Sequence, residues 1–186
     1  MKDDLLGWVA LNLTPNIGSI KAKALLDCFP EPADIFKAGK SDLIKIGKLS
    51  SQDTENILGF KMETAEEELN LAEKHGFTII PQNDSRYPEL LKQIPDPPVL
   101  LYVWGTFKEI DLLAAAIVGT RLCSPYGMIQ AARFAAGIVS AGFTVISGLA
   151  KGIDTAAHQG ALRAKGRTIG TDHRRSGKRA SGYLSG

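Results

Sequence analysis

Short apolar runs typical of strands alternate with longer amphipathic runs typical of helices from Phe77 onward, and this alternation constrains the fold most strongly. The strand candidates are 77–80, 99–104, 115–118 and 144–146, and the helix candidates are 126–140 and 154–164. Such alternation favours a parallel sheet with crossover helices. We therefore predict an α/β fold for this part of the chain.

The preceding residues, 3–75, have helical periodicity. We predict a first helix capped by Asp3 or Asp4, a break at 14–18, and a second helix beginning at about Ser19. Further helices are predicted over 41–44, 51–58 and 62–74, the last ended by Gly76. The change of texture places a domain boundary at about residue 76, which gives a helical domain over 1–76 and a sheet domain over 77–170.

Bulk properties exclude several classes of protein. The chain is 44% apolar and 23% charged, which is typical of a soluble globular protein, and no window of about 18 uninterrupted apolar residues predicts a membrane span. The first four residues carry acids where a secretory signal carries bases. Cys28 and Cys123 lie far apart and outside any C-x-x-C pattern, so neither a disulfide framework nor a zinc site is indicated. We predict a cytoplasmic protein.

Charge is distributed unevenly along the chain although the net charge is only +2. Residues 63–68 contain four Glu, whereas residues 163–179 contain seven Lys or Arg and a single acid, Asp172. A nearly neutral protein still binds phosphate when its bases converge on one face, so the net charge neither requires nor excludes nucleic acid.

Two strand-to-loop transitions carry the residues of chemical interest. In the first, an apolar strand runs into Gly119 and Arg121, and a helix follows with Ser124 as its cap and Pro125 in its first turn. Ligands of open parallel sheets lie beyond the carboxyl ends of the strands. There, the free N–H groups of a helix N-terminus and a projecting guanidinium suit a phosphate.

The second transition follows the strand at 144–146. It contains Ser147, Gly148, Lys151 and Gly152, and leads into a helix that we predict to be capped by Asp154. Adjacent parallel strands would bring both loops to one edge of the sheet. Two bases and two helix N-termini would then surround a single basic pocket.

Ordinary structural explanations compete with this interpretation. Either loop alone favours a simple turn, and neither contains G-x-x-x-x-G-K-[ST] or G-x-G-x-x-G. His75 and His158 lack a neighbouring Cys, Ser or carboxylate set, so we interpret them as packed or capping residues. The absence of a nucleophile–base pair or a metal-ligand cluster favours a protein that is not an enzyme.

Three segments together resemble the DprA/Smf family. They are IVGTRLCSPYG at 117–127, SGLAKGIDTAAHQGAL at 147–162, and NDSRYPELLKQIPDPPVLLYVWG at 83–105. The resemblance spans about residues 77–169 and implies an extended Rossmann-like fold that binds single-stranded DNA in a basic pocket. It further implies loading of the RecA recombinase during natural transformation, a homodimer, and neither a cofactor nor a catalytic step.

The resemblance also assigns site residues. Arg121 and Lys151 are expected to contact phosphates, and the loop residues that admit the DNA backbone are expected to be Gly119, Ser147, Gly148 and Gly152. Tyr126 is the nearest candidate for base stacking, although a core or capping role fits it equally well. In the first domain, residues 15–19 resemble a helix-hairpin-helix, with Asn16 where such hairpins usually have glycine. That hairpin is expected either to contact DNA or to serve a structural or protein-binding role.

The family pattern fails after Gly170. Residues 171–186 are rich in Arg, Ser and Gly and lack hydrophobic periodicity, which is typical of a disordered basic tail. A reading frame shifted by one nucleotide permits the strand that the family has here, so we hypothesise a truncated or frameshifted core. Such a core would make dimerisation and RecA contact doubtful.

The sequence is compatible with several alternative functions. The first is a Rossmann-like nucleotide-binding enzyme, such as a nucleoside monophosphate phosphoribohydrolase, in which Asp154 or Glu89 would supply the carboxylate. The others are a non-functional truncated product and an interaction module built on the N-terminal helices. Release of free base, a broad or absent thermal transition, and partner binding by residues 1–76 would respectively distinguish them.

Overall fold

A computed structural model describes residues 2–172, and the side chains from Asp4 onward. Most of the predicted basic tail, 173–186, therefore lies outside the described residues. The described chain divides into two compact units, one extending to Thr106 and the other beginning at Phe107. The two units are defined by their compactness, which does not show where one independently folding domain ends. The domain boundary near residue 76 therefore remains a prediction.

The first unit contains six helices followed by a two-stranded hairpin. In chain order its elements are α1 (Lys2–Leu13), α2 (Ser19–Cys28), α3 (Pro32–Ile35), α4 (Lys40–Ile44), α5 (Ser51–Leu58), α6 (Met62–Lys74), β1 (Phe77–Pro81), α7 (Glu89–Lys92) and β2 (Leu100–Trp104). Buried side chains of α1 to α6 and of both strands share one apolar core, which includes Leu11, Leu25, Ile57 and Ile79.

The ends of the predicted helices are largely confirmed. Asn16 has a φ of 64° in the turn between α1 and α2, and Gly76 has a φ of 71° just after α6. Both values lie in the left-handed region, which Asn and Gly tolerate best. The predicted cap at Asp3 or Asp4 is wrong, because α1 already begins at Lys2 and includes both residues.

The hairpin is antiparallel, and its connection is held by a polar network. Phe77 pairs with Trp104 and Pro81 with Leu100. The buried Tyr87 donates its hydroxyl to the carbonyl oxygen of Pro98 at 2.8 Å, and the Gln82 amide donates to the same oxygen. The Tyr-Pro and proline-rich stretch of the sequence is therefore the device that closes this connection.

Replacing Tyr87 with Phe is expected to lower the free energy of unfolding by about 1 kcal/mol, because it leaves the carbonyl oxygen of the half-buried Pro98 with one hydrogen-bond donor fewer. Burial raises the pKa of Tyr87 to about 12, so its hydroxyl stays protonated and donating at neutral pH. Chemical denaturation of both proteins measures the difference. An unchanged unfolding free energy would show that water replaces the lost donor.

The second unit is built on a three-stranded parallel sheet. A 3-10 turn (Glu109–Leu112) leads into β3 (Ala114–Ala116), α8 (Pro125–Ser140), β4 (Thr144–Gly148), α9 (Ile153–Arg163) and β5 (Thr168–Thr171). The strand order is β3-β4-β5 and both pairs are parallel. The predicted α/β fold with crossover helices is thus confirmed.

Small residues let the two helices of this unit approach closely. A side chain at Gly160 of α9 would collide with the backbone of Ala132 in α8. Ala135, Ala157 and Ala161 are fully buried together with Val145 of β4. The helix pair therefore packs over the sheet, so that α8 and α9 both begin at the edge where β3 and β4 end.

A partly buried ion pair links the 3-10 turn at the start of the second unit to Arg167, the residue before β5. Arg167 donates two hydrogen bonds to Asp111, one of them at 2.7 Å from Nη2 to Oδ2, and the Thr144 hydroxyl donates to the same carboxylate. Burial raises the pKa of Asp111, but the hydrogen bonds from Arg167, the Lys108 N–H and Thr144 outweigh it and hold this pKa below its usual value.

Replacing Asp111 with Asn is expected to lower the free energy of unfolding by about 2 kcal/mol at pH 7, since charged hydrogen bonds are lost and Arg167 keeps its charge. A carboxyl whose folded pKa is depressed stabilises the fold above its unfolded pKa of about 3.9 and loses that contribution as pH falls through the folded value. Thermal unfolding at pH values from 7 downward should therefore show the difference between the two proteins shrinking once the pH falls below about 3.9. The exposed Asp27→Asn serves as control, and a difference that stays constant as the pH falls below about 3.9 would contradict this account.

Candidate nucleic-acid interface

The two loops singled out from the sequence lie side by side at one edge of the sheet. β3 and β4 are adjacent parallel strands, so their carboxyl ends, and the loops that follow them, share that edge. Hydrogen bonding continues past the end of β3, where the Ile117 N–H donates to the Ile146 carbonyl oxygen at 2.9 Å. The prediction that adjacent strands bring the loops together is confirmed.

Gly152 is the point at which the loops touch. Its φ of 89° lies in a region that L side chains rarely adopt. A Cβ there would stand 2.5 Å from the carbonyl oxygen of Thr120 and 2.7 Å from that of Arg121. The Ile153 N–H also donates to the Thr120 oxygen at 3.3 Å. Backbone contact thus places Arg121 beside the segment that carries Lys151.

Ile153 fills the space under the first loop, a contact that the sequence did not reveal. A Cβ on Gly119 would lie 2.7 Å from Cγ1 of Ile153, and one on Gly127 would lie 3.5 Å from its Cδ1. Gly119 is therefore required by this packing irrespective of any ligand. The apolar side chain of Ile153 joins both loops to the start of α8.

Ser147 and Gly148 support the loop from below. The Ser147 side chain is buried and donates its hydroxyl to the Ile117 carbonyl oxygen at 2.6 Å, which ties β4 to the residue after β3. A side chain on Gly148 would collide with the Asp154 carboxylate. These positions shape the site, and a DNA contact by either of them remains a prediction.

Asp154 does not cap α9, contrary to the prediction. The N-cap is Gly152, and within residues 2–172 no side-chain hydrogen bond caps this helix. Asp154 instead lies one residue inside the helix, where only 7% of it is exposed. The positive φ of Gly152 explains the difference, because it starts the helix two residues earlier than the sequence pattern suggests.

The N-terminus of α8 has the predicted cap. The Gly127 N–H donates to the Ser124 side chain at 3.1 Å, and Pro125 occupies the first helical position. The partial positive charge of a helix N-terminus favours an anion. α8 and α9 therefore both direct this end of their dipoles to the edge that carries the two loops.

The two basic side chains of the site are available to a ligand. Arg121 and Lys151 are both exposed, and within residues 2–172 neither side chain enters an ion pair or hydrogen bond. Tyr126 is 71% exposed and Leu122 is 94% exposed on the first loop and its helix. This edge of the sheet therefore combines two positive charges that no described acid neutralises with two exposed apolar surfaces.

Over the described residues, no three or more His, Cys, Asp or Glu side chains are grouped as metal ligands. No helix within 2–172 is both long and apolar enough to cross a membrane. Glu89, a candidate carboxylate, lies in the first unit and pairs with Lys92 at 2.7 Å.

Comparison with known proteins places this geometry in a family. The family described as DNA recombination-mediator protein A matches residues 78–172. The Smf protein of Synechocystis is 30% identical over 169 residues, which are 87% of this chain and 42% of that protein. The DNA processing protein DprA of Bacillus subtilis is 39% identical over 101 residues, which cover 52% of this chain and 33% of that protein.

A solved structure has the same fold. The X-ray structure of DNA processing protein A from Streptococcus pneumoniae superposes with a TM-score of 0.63 at 24% identity, covering 95% of this chain and 62% of that one. This chain spans less than half the length of the curated relatives named above. The family match extends over both loops of the site and the strands that position them. The chain therefore belongs to the DNA recombination-mediator protein A family, also called DprA/Smf.

Proposed function

We propose that this chain binds single-stranded DNA at the edge formed by residues 117–127 and 147–153, and that it delivers the strand to the RecA recombinase during natural transformation. The observation that carries the proposal is the backbone contact of Gly152 with Thr120 and Arg121. That contact brings together on one surface two helix N-termini and two exposed basic side chains, which have no ion pair or hydrogen bond within residues 2–172. Phosphate groups of a nucleic acid suit such a surface.

The relatives support a role in DNA metabolism. The Bacillus subtilis and Streptococcus pneumoniae relatives are named DNA processing protein DprA, and the family is described as recombination mediators. Because this chain covers only part of their length, RecA contact, homodimerisation and a cytoplasmic location are included in the proposal as properties of the family.

The exposed apolar side chains beside Arg121 and Lys151 favour binding of an unpaired strand over binding of a duplex. Tyr126 and Leu122 present apolar surfaces next to Arg121. Proteins that bind single strands combine basic side chains along the phosphate backbone of the DNA with surfaces on which unpaired nucleobases stack. In a duplex the nucleobases stay stacked on one another, so a duplex would contact only the two basic side chains at this edge.

A non-enzymatic role fits the surroundings of the acids and the histidine best. Asp154 is buried, Glu89 is paired with Lys92, and both ring nitrogens of His158 lie at hydrogen-bond distance from Thr168 and Gly148. None of these side chains is poised as a general base beside a nucleophile. We therefore propose binding and delivery of DNA without a chemical step.

A fluorescence-anisotropy titration tests the proposal with a labelled single-stranded oligonucleotide and with unlabelled single-stranded or duplex competitors. We expect saturable binding that single strands displace at least about tenfold more effectively than duplex. Acceleration of RecA filament formation on the same oligonucleotide tests delivery. Equal displacement by duplex would refute single-strand selectivity, and release of free base from a nucleotide would favour the enzyme alternative.

A further inference from the structure

A hydroxyl group in the first turn of α9 holds the peptide that precedes Lys151. Thr155 donates this hydroxyl to the Ala150 carbonyl oxygen at 2.8 Å, so a helix side chain is tied to the backbone of the loop between β4 and α9. Thr155 is exposed, so no core packing depends on its complete burial. The orientation of the Ala150–Lys151 peptide therefore depends on a single side chain that can be replaced.

That orientation determines where the Lys151 N–H points. A trans peptide is planar, and its N–H is directed opposite to its carbonyl oxygen. Because the Ala150 carbonyl oxygen is turned toward the Thr155 hydroxyl on α9, the Lys151 N–H is turned away from that hydroxyl. Within residues 2–172 this N–H donates no hydrogen bond. Lys151 therefore offers a backbone donor to a ligand in addition to its ammonium group.

The peptide that precedes Arg121 is held in the same way. Its carbonyl oxygen belongs to Thr120 and accepts the Ile153 N–H at 3.3 Å, which also comes from the first turn of α9. The Arg121 N–H is accordingly turned away from Ile153, and it donates no hydrogen bond within the described part of the chain. The start of α9 thus orients two peptides, each of which carries its N–H on a basic residue.

The orientation of the Lys151 N–H affects affinity because phosphate oxygens accept hydrogen bonds from backbone N–H groups as well as from basic side chains. The ammonium group lies at the end of a flexible stem, whereas the backbone fixes the N–H. Binding costs less conformational entropy when a donor is already held in place. Without the hydrogen bond from Thr155, the Ala150–Lys151 peptide would lose a contact that fixes it, and this cost would rise.

We propose that Thr155 is a positioning residue for nucleic-acid binding. Its hydroxyl aligns the Lys151 N–H, so that this donor and the Lys151 ammonium group contact one phosphate. Arg121 contributes its own N–H and guanidinium from the neighbouring loop. This inference rests on the proposed function, because it names a residue that acts through the same site without contacting the DNA.

The first test compares the affinity for a single-stranded oligonucleotide among variants of the full chain. Thr155→Val keeps the shape of the side chain but removes the hydroxyl, and we expect its affinity to fall by about three- to tenfold. Thr155→Ser keeps the hydroxyl and should bind like the wild type. Ser140→Ala is a matched control, because it removes the hydrogen bond from Ser140 to the Ala136 carbonyl oxygen at the other end of α8. An equal loss of affinity in Thr155→Ser or Ser140→Ala would overturn the proposal.

A second measurement tests the positioning role without DNA. ¹⁵N relaxation of the free protein reports the order parameter of each backbone amide. We expect the order parameter of the Lys151 amide to fall in Thr155→Val and to keep the wild-type value in Thr155→Ser. A weaker affinity of Thr155→Val without that change would show that Thr155 contacts the DNA directly, and it would overturn the positioning role.

A titration with inorganic phosphate separates this inference from the proposed function. We expect phosphate to shift the Lys151 amide resonance of the wild type, and Thr155→Val to require a higher phosphate concentration for the same shift. That result without any binding of DNA would refute the proposed function alone. Single-strand binding that is identical in the wild type and Thr155→Val would refute the inference alone. An amide that does not respond to phosphate or to DNA would refute the backbone contact.

Discussion

Replacing both Arg121 and Lys151 with Ala is expected to weaken binding of single-stranded DNA by at least about a hundredfold at low salt. Each side chain is exposed and free of ion pairs within residues 2–172, so its charge is available to a phosphate. A hydrogen bond to a charged group contributes about 1.5–3 kcal/mol, and two such contacts account for the expected loss. Anisotropy titrations at several salt concentrations measure the effect.

The salt dependence identifies the cause of that loss. For single strands the slope of log affinity against log salt changes by about 0.7 for each phosphate contact, so the double variant should have a slope smaller by about 1.4. Arg133→Ala with Arg163→Ala removes the same charge from the middle of α8 and the last turn of α9. If this control pair weakens binding equally, general attraction and not a site explains the affinity.

Replacing Gly152 with Val is expected to abolish DNA binding and to destabilise the second unit by about 3 kcal/mol or more. The residue has φ 89° and ψ −127°, a combination that strains any L side chain. A Cβ would also meet the carbonyl oxygens of Thr120 and Arg121. The loops would have to separate, which moves Arg121 away from Lys151 even where the fold survives.

Gly137→Ala provides a matched control for this substitution. Gly137 lies in the middle of α8, and a Cβ there would meet nothing within 4 Å. Alanine should stabilise this helix by about 0.5–1 kcal/mol and leave binding unchanged. Thermal unfolding and anisotropy on the three proteins give both quantities. Wild-type stability and affinity in Gly152→Val would contradict the contact between the loops.

Much of the site followed from local sequence because local rules govern it. Ser124 and Pro125 mark the start of α8. The loops that follow β3 and β4 lie at one edge of the sheet because these two strands are adjacent and parallel. The positive φ of Asn16 likewise agrees with a tight turn between two helices. These features depend on a few consecutive residues, whose conformational preferences are visible in the sequence.

Other features depended on contacts between distant residues. Ser147 donates its hydroxyl to the carbonyl oxygen of Ile117, thirty residues earlier, and the His158 ring lies at hydrogen-bond distance from Thr168 of β5. The sequence predicts Asp154 as the helix cap, but the cap is Gly152, which has a positive φ. A glycine's φ and a histidine's partners are set by tertiary packing, so sequence spacing alone could not supply them.

The most direct test of the account is a map of the residues that respond to DNA. A ¹H–¹⁵N NMR titration of the ¹⁵N-labelled chain with a short oligothymidylate reports each backbone amide. We predict the largest changes in residues 117–127 and 147–155, saturating together with a single affinity. Changes confined to residues 14–21 or 173–186, with both loops unaffected, would show that DNA binds elsewhere and would contradict the proposed site.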